Sequence, residues 1–125
     1  MALKNVAVDG CTVSPQGIVS GGTLTITSTP SLTVKAEGNG AYKGTLTFTV
    51  VGANATGYDP GTVVTVGPAT IVATAIKVKA DGSFVMRVDD QVLAAAMTGT
   101  ILGTPTPFTE PFKITDAGQT TVKAE

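Results

Sequence analysis

The chain has 125 residues, 42% hydrophobic and 14% charged, which suits one domain with a single core and argues against disorder. Eight Lys and Arg stand against nine Asp and Glu, and the net charge of −1 offers no basic footprint to nucleic acid or anionic lipid. Histidine is absent and cysteine occurs once, at Cys11, which excludes Ser-His-Asp and Cys-His nucleophiles, His-based metal sites and any intrachain disulfide.

Met1 to Asp9 breaks with charge before an apolar run forms, so no signal peptide is expected. Thr23-Leu24-Thr25-Ile26-Thr27 and Thr45-Leu46-Thr47-Phe48-Thr49-Val50 alternate threonine with apolar residues, the period of a strand with one buried face. Thr62–Val66, Ile76–Lys79 and Phe84–Val88 are rich in β-branched or alternating residues and read as strands too. Turn chemistry separates them at Gly21-Gly22, Gly38-Asn39-Gly40, Asp59-Pro60-Gly61, Asp81-Gly82 and Thr104-Pro105-Thr106-Pro107. Asp90 followed by Gln91–Met97 is the one stretch with a helical look, and it is too short to stand alone. The apolar run Val92–Met97 is also far too short to span a bilayer. The chain reads as one all-β domain over residues 1–125.

A repeat organises it. Thr33-Val34-Lys35-Ala36-Glu37-Gly38 returns as Lys77-Val78-Lys79-Ala80-Asp81-Gly82 and again as Thr121-Val122-Lys123-Ala124-Glu125, with Val34, Val78 and Val122 spaced by 44 residues each time. The same register aligns Ile26 with Thr70 and Ile114, Tyr42 with Met86, and Lys43 with Arg87. It divides the chain into blocks of about 1–37, 38–81 and 82–125. It also sets the strand beginning at Thr45 against the Ala-rich segment 89–96, favouring a strand there over a helix. A solenoid needs atypical terminal repeats. Here the chain begins and ends within the repeat, so the expected architecture is a compact cone of three pseudo-repeats closed about a pseudo-threefold axis. Such an object suits the end of something with a true threefold axis.

Around Val78-Lys79-Ala80-Asp81-Gly82-Ser83-Phe84-Val85-Met86-Arg87-Val88-Asp89-Asp90, and around Val34–Lys43, the sequence resembles the PAAR-repeat family of spike-tip proteins. The resemblance implies a short β cone whose base sits on a homotrimeric β-helical spike and whose apex faces a target membrane. It places the chain in a phage tail, a type VI machine or an extracellular injection particle, as a mechanical tip that in some systems carries effector cargo. Family members commonly hold an apical metal with histidines, often helped by a cysteine. This chain lacks that ligand set, because Cys11 falls in register with Ala55 and Gly99, and no metal or other cofactor is expected.

Lys35, Lys79 and Lys123 form one aligned set, and Glu37, Asp81 and Glu125 another. Two readings stand open: charged rings on the rim of a partner interface, or a solvated strand face with weak surface pairs, the plainer of the two. Asp89 and Asp90 point to opposite faces if extended, and read as a solvated loop rather than a shared metal or acid–base site. Asp9 and Asp59 read as turn residues, and Cys11 as a small buried hydrophobe. Phe84, Met86, Met97, Phe108 and Phe112 supply core bulk. No arrangement carries catalysis. The expected function is a structural spike tip, monomeric on its own, without stable membrane anchoring. The alternative is a decoration or adhesion domain that binds a capsid, fibre or receptor in many copies.

Overall fold

The computed structural model describes residues 3–125, and no helix occurs among them. The first strands are β1 (Lys4–Asn5), β2 (Thr12–Pro15), β3 (Val19–Ser20), β4 (Thr23–Ile26) and β5 (Lys35–Ala36). They continue as β6 (Asn39–Gly40), β7 (Thr45–Val51), β8 (Asn54–Ala55), β9 (Val64–Thr65) and β10 (Ala69–Val72). The chain ends with β11 (Lys79–Ala80), β12 (Ser83–Phe84), β13 (Gln91–Ile101), β14 (Thr104–Asp116) and β15 (Lys123–Ala124). The all-β expectation holds.

Alternation builds the first sheet. Leu46, Phe48 and Val50 of β7 are buried while the intervening threonines face outward, as a two-residue side-chain period requires. β7 lies between β10 and β4, with Phe48 opposite Ala69 on one side and Ile26 on the other. On the outer face the hydroxyls of Thr47 and Thr70 meet at 3.3 Å.

A second sheet runs in the order β2, β14, β13, β9. Its backbone is the β13–β14 hairpin, paired from Gln91 and Lys113 out to Ile101 and Thr104. The hairpin turns on Leu102 (φ 49°) and Gly103 (φ 79°), left-handed conformations that match the twist of the flanking strands. The Ala-rich segment is therefore a strand, as the repeat register indicated, with a bulge between Val92 and Ala95. The turn expected at Thr104–Pro107 is instead the start of β14. Pro105 and Pro107 are tolerated there because β2 joins β14 only at Phe112–Asp116, so β13 is the sole neighbour at the prolines.

Three other expected strands are shorter than the sequence suggests. Thr62–Val66 contracts to β9, with Val63 bridging Ala53. Ile76–Lys79 enters a strand only at Lys79, because the Ile76 and Lys77 amides both donate to the Glu125 carbonyl. Phe84–Val88 contributes Phe84 to β12, and Val85 and Arg87 continue as isolated bridges.

The two sheets close over one core centred on Phe48 and Phe112, whose rings lie 5.0 Å apart, with Leu46, Ile71, Met86, Met97 and Ile114 around them. A second, smaller cluster holds Val6, Ala41, Ala75, Ala80, Val85 and Ala124. Of the residues expected to supply bulk, Met86, Met97 and Phe112 are fully buried. Phe108 is partly buried against Tyr58, at 4.8 Å. Phe84 departs from expectation: it lies at the surface with the Lys79 ammonium 4.8 Å above its ring.

Candidate functional site

The small cluster sits beneath three short hairpins, each carrying one copy of the Val-Lys-Ala-acid motif. Lys35 pairs with Gly40 and Ala36 with Asn39; Lys79 pairs with Phe84 and Ala80 with Ser83. In the third, Lys123 pairs with Asn5 and Ala124 with Lys4, so the two strands come from distant parts of the chain. The first two turn on Glu37-Gly38 (φ 51° and 85°) and Asp81-Gly82 (φ 50° and 87°), where an acid followed by glycine suits a two-residue hairpin loop.

The segments that follow the hairpins are bonded in a closed cycle. The Tyr42 amide donates to the Ala7 carbonyl (3.0 Å), the Ala7 amide to Met86 (2.8 Å), and the Met86 amide to Tyr42 (2.9 Å). A second cycle runs outside the first: Asp9 to Gly40 (2.9 Å), Gly44 to Phe84 (2.7 Å) and Val88 to Asn5 (2.9 Å), amide to carbonyl each time. Bridges between Val8 and Ala41, Lys43 and Val85, and Val6 and Arg87 follow the same rotation. The carbonyls of Val34, Val78 and Val122 accept from the amides of Ala41, Val85 and Val6 at 2.9, 3.1 and 3.0 Å. Those three valines are 37%, 37% and 41% exposed, while the alanines two residues on are all buried. The apolar side chains of Leu3, Leu32 and Ile76 are exposed as well.

The aligned charges separate into two kinds. Each acid reaches away from its own hairpin to the segment that leads into another. Glu37 accepts from the Thr120 amide (2.9 Å) and the Thr121 hydroxyl (3.2 Å). Asp81 accepts from the Ser31 and Thr33 hydroxyls (2.7 and 2.6 Å) and from Lys43. Glu125 pairs with Lys77 at 2.6 Å. The acids therefore clasp one segment to the next, and Lys35, Lys79 and Lys123 stand exposed without them.

Lys43, followed by the two hydroxyls, holds the Asp81 carboxyl well below its usual value of 3.8. A carboxyl with a depressed pKa in the folded state contributes stability above its unfolded value and loses it as pH falls through the folded one. Asp81→Asn is thus expected to melt lower than the parent at neutral pH and to converge with it only in strong acid. Thermal melts across pH check this.

Ser31 and Gln119 complete the ring's supports, and sequence reasoning missed them. The Ser31 hydroxyl accepts from the Thr33 and Val34 amides (3.2 and 2.9 Å), and the Gln119 side-chain carbonyl from Thr121 and Val122 (both 2.8 Å). The spacing of 44 between positions 31, 75 and 119 was the available signal, obscured because the middle position is Ala75.

Asp89 and Asp90 do face opposite ways. Asp89 is exposed and pairs with Lys4 (3.8 Å) and Lys113 (3.6 Å). Asp90, expected in a solvated loop, is instead 2% exposed. It accepts from the Arg87 amide (2.9 Å) and the Thr74 hydroxyl, because the backbone turning out of the ring needs an internal acceptor. The Arg87 guanidinium, also buried, donates to Thr74 and to the Ala124 carbonyl (3.3 Å), tying the third hairpin down.

Cys11 is buried, as expected of a small hydrophobe, and burial pushes its thiol from 9.0 up to about 12. Burial also pushes the Tyr42 phenol from 10.0 up to about 12. Both groups keep their protons longer in the folded chain than in the unfolded one, so stability is expected to fall as pH rises from about 9 towards 12. At pH 8 the native thiol is expected to resist iodoacetamide and to react once urea unfolds the chain. Rapid native labelling overturns this.

Among the described residues no three or more Cys, Asp or Glu side chains converge. No family model, no curated protein and no solved structure matches the chain.

Proposed function

We propose that the chain is a structural cap: three units of about 44 residues arranged about a pseudo-threefold axis, docked by the hairpin face on the end of a homotrimeric, β-structured spike. The observation that carries this reading is the closed cycle of amide-to-carbonyl bonds through Tyr42, Ala7 and Met86. A single chain that repeats one contact three times around a centre offers a true trimer three equivalent footholds at once. Val34, Val78 and Val122 supply a matched apolar set at that face, with Leu3, Leu32 and Ile76 beside them and the aligned lysines outside. Apolar centre and polar rim are the usual anatomy of a specific interface.

The role is non-catalytic, and the setting is the spike of a phage tail or of a related injection particle, in keeping with the PAAR-repeat resemblance. The β13–β14 hairpin leads away from the ring for 11 residues, about 35 Å at strand rise, and forms the distal, target-facing part of the cap.

Native mass measurement of the free protein and of its complex tests the proposal. The expected masses are a monomer alone and one copy per partner trimer, burying about 1,200–2,000 Å². Val34→Asp, Val78→Asp and Val122→Asp together are expected to abolish docking, since three charges then sit in the apolar centre. A self-associated homotrimer, or several copies per partner, favours the decoration reading instead.

A further inference from the structure

The full inventory of charge in this chain has an unusual remainder. Every carboxylate is already engaged from within. Beyond the acids described above, Asp9 accepts from the Tyr42 hydroxyl (3.4 Å), and Asp59 from the Leu102 and Gly103 amides (3.2 and 3.0 Å). Glu110 accepts from three amides at Gly17–Val19, and Asp116 from the Gly118 amide (2.8 Å). Of the cations, Lys4, Lys43, Lys77 and Lys113 pair with carboxylates, and Arg87 is bonded to a carbonyl and a hydroxyl. Among the described residues the cations left without an acid or an oxygen acceptor are Lys35, Lys79 and Lys123. These are the three aligned positions, and all three are exposed on the hairpin face.

We infer that the partner's contact end carries three carboxylates around an apolar centre, one against each of Lys35, Lys79 and Lys123. This rests on the docking reading above and goes further, by fixing the partner's charge. Seating an apolar ring against a partner strips water from the ammonium groups on its rim. A carboxylate opposite each offsets that loss, whereas a cation is repelled and an apolar rim leaves the charge uncompensated. The chain as a whole carries −1, so the positive field is local to this face and does not attract polyanions in general. Three isolated cations, one per hairpin, match a threefold set of acids better than the continuous run of charge on a nucleic acid or an anionic membrane.

The test uses the full chain in complex with the trimer recovered from its particle. Carbodiimide joins an ammonium to a carboxylate only where the two touch, and the Lys77–Glu125 pair serves as the internal control. Expected products join Lys35, Lys79 and Lys123 each to the same Asp or Glu position of the partner. A second arm replaces all three lysines by glutamine. Because none has an acid partner within the chain, the melting temperature should hold. The association rate at low salt should fall about ten-fold or more and lose most of its salt dependence. Recovery of the trimer with cross-links elsewhere and an unchanged rate overturns this inference alone. Recovery of no trimer at all removes the docking reading and this inference with it. Binding to heparin or anionic vesicles that vanishes in the glutamine variant also overturns it, in favour of a polyanion.

Discussion

Alanine in place of Glu110 is expected to cost about 3–5 kcal/mol, among the largest losses any single substitution brings to this chain. The side chain is 1% exposed, and its two oxygens accept from the amides of Gly17, Ile18 and Val19 at 2.8, 3.1 and 3.1 Å. Those amides belong to the turn between β2 and β3, which has no ladder partner of its own there. Truncation leaves them unpaired in a space water does not readily fill, and each lost bond to a buried amide costs about 1–3 kcal/mol. Glu110→Gln retains one acceptor and should recover part of the loss. A coupling experiment separates this cause from general damage. A Cβ at Gly17 falls 2.4 Å from a Glu110 oxygen, so Gly17→Ala should destabilise the parent clearly and the Glu110→Ala variant very little. Urea titration reads both, as a shift of midpoint at constant slope. Additive losses would mean that the carboxylate is not what fills the turn.

Phe112→Ala is expected to be as severe, about 3–5 kcal/mol, and for a different reason. Phe112 stands in β14 between Pro15 and Val92, while Phe48 stands in β7 between Ile26 and Ala69. Each is at the middle of its own sheet, and the pair, tilted at 55°, is where the two sheets touch most heavily. Removing one ring deletes the transfer energy of its carbons and leaves a void bounded by two sheets that cannot both collapse into it. Phe112→Leu keeps most of the volume and should cost about 1–1.5 kcal/mol. In a double-mutant cycle with Phe48→Ala, the pair should show about 0.5–1.5 kcal/mol of coupling beyond burial. Equal midpoints for the alanine and leucine variants would count against this packing. Domains of this size are stable by about 5–15 kcal/mol, so either alanine substitution consumes a large fraction of what holds the fold.

The two central strands were legible because their alternation is local. Thr45–Val50 alternates in sequence, and its apolar residues point inward whatever β7 pairs with. The equal spacing of Val34, Val78 and Val122 was legible as well, and the three do make the same backbone contact. What the sequence hid was decided by partners far away. Thr104–Pro107 carries turn residues, yet β13 holds it extended because no second strand needs the amides that proline lacks. Phe84 looked like core bulk, but it occupies the position matched by Gly40 and Asn5 in the other hairpins, which faces outward. The direction of the acids was hidden for the same reason. Residues two apart share a strand face, so Lys79 and Asp81 promised a pair. Asp81 instead turns to Ser31, Thr33 and Lys43, about fifty residues earlier for the hydroxyls.

The third hairpin joins Lys4 to Ala124, and this fixes when the molecule can come into being. Synthesis from the N-terminus delivers two finished hairpins, β5–β6 and β11–β12, long before β15 exists. Until then Val6 lacks the Val122 carbonyl, and β1 has no neighbour to shield its edge. The closing contact spans nearly the whole polypeptide, and contacts of such separation make folding slow. A nascent chain therefore waits with open strand edges, the state in which β proteins aggregate. Expression hosts that slow translation late in the message, or remove the last few residues, should yield insoluble chains whose first hundred residues are chemically intact. The fold is all-or-none along its length, and its final strand acts as the latch.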